Sequence, residues 1–168
     1  MVHEAGHVIG ALLTGGKVTL VYLHPLDFSR TDISPNPHPH LVAWAGPAAG
    51  CLIPLLAFIV TRLIHFKGAY LFQCFAGFCL IVNGCYLGVG WVDRVGDAGD
   101  LTNYGSPVWL LILFGITTFI SGIYLWNGLG AKFGFGAMKG RIGKRATYFC
   151  LVLFILVVVF EVILTILY

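Results

Sequence analysis

Charge is scarce in this sequence. Only 10% of its 168 residues are Asp, Glu, Lys or Arg, whereas a soluble domain carries roughly a quarter. That shortage, beside a hydrophobic content of 58% and a mean hydropathy of +0.91, excludes an ordinary soluble domain. It also excludes an intrinsically disordered chain, which needs the opposite balance. The 10 Lys and Arg slightly outnumber the 7 Asp and Glu. Outside one loop they form no basic helix or stripe, so nucleic acid is not an expected partner. Cysteine is sparse, and Cys51, Cys74, Cys79, Cys85 and Cys150 include no C-x-x-C pair. An odd set of this kind points to neither a disulfide framework nor a cysteine-based metal site. Each falls in an apolar block and reads as a small buried residue, which leaves the redox compartment unmarked. There is no internal repeat, no low-complexity tract, and no basic segment with a cleavage site at the N-terminus of the kind a signal peptide carries.

What the chain has in abundance is long apolar runs. Residues 41–63, 69–92, 107–126 and 146–167 each reach the length of about 20 residues that a helix needs to cross a bilayer. Trp91, Trp109, Trp126 and Tyr168 sit near their ends, where an interfacial aromatic belt belongs. Residues 1–14 form a shorter apolar stretch of helical character, stopped by Gly15-Gly16, a C-cap signal. A rise of about 1.5 Å per residue gives that stretch about 21 Å, too little to span, and a longer helix is expected to precede it. Residues 17–23 are rich in β-branched and aromatic types and read as a strand. Residues 24–40, with four prolines, read as a loop.

The expected fold is an all-α polytopic membrane protein of about four full transmembrane helices, with an N-terminal helix and a short β-strand or hairpin segment. It forms one membrane-embedded domain over 1–168. Its parts are the helix 1–14, strand and loop 15–40, three transmembrane helices in 41–126, a basic loop 127–145 and a last transmembrane helix 146–168. Lys17, Arg30 and Arg94 flank one side of the membrane. Arg62, Lys67, Lys132, Lys139, Arg141, Lys144 and Arg145 flank the other. The positive-inside rule puts that second side in the cytoplasm, and the basic cluster of the 127–145 loop reads first as an orientation signal with some attraction for anionic headgroups.

Residues 3–7 read His-Glu-Ala-Gly-His. On a helix His3 and His7 share a face and are placed to grip one metal ion, for which zinc is the expected identity. Glu4 stands beside that face and is placed to act as general base toward a water whose pKa the metal lowers. Three ionisable side chains in an apolar segment are costly unless they coordinate or pair. A catalytic zinc takes three protein ligands. The candidates for the third are the carboxylates of Asp93, Asp97 and Asp100, in a run that follows the second span on the side where the His3–His7 helix exits. Asn83, inside the second span, is expected to hold a substrate backbone or to orient a ligand, with interhelical bonding as its plainer role. Gly46 and Gly50 have the spacing of close helix packing, and Pro47 between them frees a carbonyl. Glu161 reads as a snorkelling or paired residue, and His38 and His40 as parts of an interfacial loop.

HEAGH, an aromatic–aliphatic strand with a proline-rich loop, and Ala45-Gly46-Pro47 opening a span together resemble the site-2 protease family of intramembrane zinc metallopeptidases. Asp97-Ala98-Gly99-Asp100-Leu101 followed by Gly105-Ser106-Pro107 is similar to an element of its compact bacterial-type branch. The Asn-x-x-Pro…Asp-Gly arrangement of other members is absent. The likeness covers roughly residues 1–110. It implies zinc held by His3, His7 and an aspartate, with Asp97 fitting the family position better than Asp100, and Glu4 as base. It also implies a site toward the cytosolic side, opposite to the Lys/Arg count. The expected activity is hydrolysis of membrane-protein or peptide substrates within the lipid bilayer, with the strand 17–23 holding an unwound segment by edge pairing. An inactive membrane scaffold and a metal or ion transporter are the alternatives; the oligomeric state is not legible.

Overall fold

The computed structural model describes residues 1–24, 28–135 and 143–167. Helix α1, Val2–Leu13, carries Glu4 in its first turn, where the helix dipole favours an acid. Thr14 closes it, its N–H and hydroxyl both returning to the carbonyls of Gly10 and Ala11. Strands β1, Val18–Tyr22, and β2, Arg30–Ile33, pair antiparallel with Tyr22 opposite Arg30 and Val18 opposite Ile33; a register irregularity lies between Val18 and Leu20. The segment 24–40 is thus not all loop. Arg-Thr-Asp-Ile lacks an alternating apolar pattern, and the pairing comes from its partner strand.

Helix α2, Pro39–Leu63, begins on Pro39, where a missing N–H costs nothing. Helix α3 is Ala69–Gly90, α4 Gly96–Asn103, α5 Val108–Trp126 and α6 Lys144–Leu167, with a short 3-10 helix at Leu129–Phe133. The expected basic loop therefore holds a 3-10 turn; Lys139 and Arg141 lie outside the described residues. The four long helices begin and end within two residues of the expected limits. Four helices are long and apolar enough to cross a membrane: α2, α3, α5 and the Thr147–Leu164 part of α6. Trp91, Trp109 and Trp126 stand at helix ends as expected; Tyr168 lies outside the described residues.

The core gathers Ala43, Leu87, Ala98, Leu101 and Leu111, with Trp44, Tyr86, Trp91 and Phe114 packed around it. It joins α2, α3, α4 and α5 directly beside the HEAGH helix. Small residues permit the close crossings. A Cβ on Gly6 would overlap the Ala45 carbonyl of α2, and Gly88 of α3 meets Gly115 of α5. Nothing in the Thr147–Leu164 window of α6 is buried. The cysteines are all free; Cys51 is buried, while Cys85 and Cys150 are exposed rather than buried as expected.

Candidate metal centre

Helix periodicity brings His3 and His7 together on one face of α1, their rings 4.8 Å apart. The α1–α2 crossing presses that face against Gly46. A Cβ there would overlap the His7 imidazole and lie 2.9 Å from His3 Nε2. Only glycine leaves the two Nε2 atoms the space in which they converge.

The third group arrives on α4. Gly96 has a φ of 52°, and a Cβ on it would overlap the Tyr86 hydroxyl, so glycine is required both for the turn and for that contact. Asp97 follows in the first turn of α4, and its backbone N–H donates to the Tyr86 hydroxyl at 3.0 Å. Its carboxylate reaches both histidines: Oδ2 is 2.7 Å from His3 Nε2 and Oδ1 is 3.3 Å from His7 Nε2. Among the described residues, His3, His7 and Asp97 form the one set of three potential metal ligands whose ligand atoms lie within 4.8 Å of one another. Asp100 borders the same cavity but does not join the set, and Asp93 is exposed in the turn before α4.

The remaining ring nitrogens are held from behind. His7 Nδ1–H donates to the Val42 carbonyl at 2.8 Å. Asn83 Nδ2 donates to the Cys79 carbonyl at 2.8 Å, which turns Oδ1 toward His3 Nδ1, also at 2.8 Å. An amide oxygen only accepts, so His3 carries its proton on Nδ1. Both imidazoles therefore present Nε2 inward, the arrangement in which an outer partner fixes a metal-binding histidine. The Asn83 side chain is buried, 7% exposed, and both ends of its amide are engaged within the protein, one of them with His3, which is the contact of the ligand-orienting alternative. Gly50 allows this, since a Cβ there would press on the Asn83 amide.

Burial disfavours the charged form of His7, but the hydrogen bond and negative charge of Asp97 outweigh it and raise its pKa. Burial likewise opposes ionisation of Asp97, and the two histidines overcome it, lowering its pKa. Asp100 is pushed up by burial and by the charge of Asp97. Two imidazole nitrogens and one carboxylate oxygen match the donor set of a three-ligand zinc site.

Glu4 is 7% exposed and is not one of the three; its Oε2 accepts from the Thr31 hydroxyl at 2.8 Å. A cavity of about 470 Å³ opens over Glu4 and the three-residue cluster. Its strand wall is β2 with the preceding Ser29, not β1 as expected. Asn36 also borders it, with a buried Oδ1 that has no hydrogen-bond partner. His40 does not sit in a solvated loop: its Nε2 is 2.8 Å from Ser106 Oγ, which also accepts from the Trp44 indole and so fastens α2 to the segment after α4. Tyr86, Gly96 and Thr31 were not legible as site residues. Tyr86 carried a faint signal, lying three positions after Asn83 on the same face of an apolar helix. No family model, curated protein or solved structure matches the chain.

Proposed function

We propose that this chain is an intramembrane zinc-dependent endopeptidase, with His3, His7 and Asp97 as ligands and Glu4 as general base. The observation that carries the reading is the convergence of two tautomer-fixed Nε2 atoms and one carboxylate, with a separate buried glutamate beside them. A zinc ion supplies Lewis-acid polarisation of the scissile carbonyl and of a water. His3, His7 and Asp97 would hold the ion in place of the protons that link the imidazoles to the carboxylate. Glu4 accepts the proton of the attacking water and passes it to the leaving nitrogen, its carboxylate steadied by Thr31.

A substrate helix must unwind to expose a carbonyl, and each unpaired backbone group costs several kcal/mol in hydrocarbon. The outer edge of β2 offers such pairing along the cavity wall, and Asn36 Oδ1 is placed to accept one further peptide N–H. The same four helices support multi-pass insertion. The exposed apolar side chains of α6 would each cost about 1.5–3 kcal/mol in water and nothing in lipid.

Purified protein is expected to hold one zinc per chain by elemental analysis, and His7→Ala to hold essentially none. A wild-type protein without stoichiometric metal overturns the proposal. Asn83→Leu, which leaves His3 Nδ1 without its partner, is expected to weaken zinc binding by about 10–100-fold; competition with a fluorescent chelator checks this. An unchanged affinity would remove Asn83 from the site.

A further inference from the structure

At the far end of the bundle lies a second concavity that the peptidase reading does not use. Gly46 and Arg62 are both on α2, and 16 residues of helix separate them by about 24 Å. There a cavity of about 300 Å³ is bordered by Arg62, Lys67 and Lys132, with Tyr70, Gln73 and Asn127 among its polar lining. The three cations come from three places: the last turn of α2, the α2–α3 connection and the 3-10 helix after α5. Among the described residues none of them forms an ion pair.

Among the described residues the acids are elsewhere. Glu4, Asp32, Asp97 and Asp100 border the other cavity, Asp93 precedes α4, and Glu161 is in α6. Three cations converging without a carboxylate repel one another, and an anion would relieve that repulsion. The chain between Arg62 and Lys67 is apolar and open: Leu63, Ile64 and Phe66 are 70%, 67% and 51% exposed. A ligand that is anionic at one end and apolar at the other satisfies both parts.

We propose that Arg62, Lys67 and Lys132 form a binding site for the phosphate headgroup of an anionic phospholipid, whose acyl chains lie along the exposed apolar side chains of Leu63, Ile64 and Phe66. Basic pockets between transmembrane helices hold such headgroups elsewhere. The Lys/Arg count places this end where anionic lipids gather.

The probe is phosphatidylglycerol against phosphatidylcholine, counted on the intact protein by native mass spectrometry after release from mixed nanodiscs. Wild type is expected to retain one phosphatidylglycerol in preference. Each cation near an anionic surface is worth about 1 kcal/mol, or about fivefold. R62Q/K67Q is therefore expected to lose about 25-fold of that preference. K144Q/R145Q removes the same charge outside the cavity and is expected to stay within about twofold of wild type. Equal losses in the two variants mean diffuse attraction and overturn the site, as does a wild type without preference. Displacement of the lipid by millimolar inorganic phosphate makes free phosphate the ligand and overturns the lipid assignment. If R62Q/K67Q does not remain monodisperse, K132Q alone decides, with a loss of about fivefold expected and no loss overturning the site. Zinc content is unchanged throughout, so this outcome is independent of the metal centre.

Discussion

Glu4→Gln is expected to reduce hydrolysis of a membrane-inserted peptide by about 10²–10⁴-fold, the usual contribution of general acid–base catalysis, while zinc stays at one ion per chain. The two side chains have nearly the same shape, and the amide oxygen of Gln still accepts from Thr31. What disappears is the ability to take up a proton. The three presumptive ligands are untouched, because Glu4 lies outside the set formed by His3, His7 and Asp97. Paired measurements of cleavage in proteoliposomes and of bound zinc check this. Full activity in the Gln variant would remove Glu4 from the chemistry. A cellular phenotype identical to wild type, with cleavage absent from both proteins, would favour the scaffold alternative.

Gly46→Ala is expected to abolish stoichiometric zinc binding and to destabilise the protein. Two opposing effects decide the sign. Alanine in place of glycine inside a helix gains about 1 kcal/mol of propensity. Against this, the new methyl overlaps the His7 ring, and overpacking of this kind costs about 1–3 kcal/mol. His7 has no easy retreat, since its Nδ1 is tied to Val42 and its Nε2 faces Asp97. Helices α1 and α2 must instead separate, and they are in van der Waals contact along Gly6, Gly10 and Ala45. Zinc analysis and thermal unfolding in detergent check both parts. Retained zinc with an unchanged midpoint would show that the ligands do not meet at Gly46.

Much of this arrangement is written in local pattern. The HEAGH spacing places two histidines on one face whatever surrounds them, and unbroken apolar runs mark four long helices because only length and hydropathy matter there. Strand β2 escaped notice because Arg-Thr-Asp-Ile owes its extended form to β1 and to the contact of Thr31 with Glu4. The choice among Asp93, Asp97 and Asp100 was open because three carboxylates in one short run differ only in where α4 begins. That start is set by Gly96 and the Tyr86 hydroxyl, a partner on another helix. The part of Asn83 was ambiguous for a similar reason. Its amide is oriented by one carbonyl a turn away and by a ring 80 positions earlier.

The 94 positions between His3 and Asp97 also set an order on biosynthesis. Ribosomes add about 5–20 residues per second, so both imidazoles leave the tunnel several seconds before the carboxylate that completes their set. The three groups meet only after α2 and α3 have docked, since α2 supplies the glycine cradle and α3 the amide and phenol that hold His3 and Asp97. Under the peptidase proposal, a nascent chain could not attack its neighbours in the translocon, and its cutting power would be switched on by assembly itself.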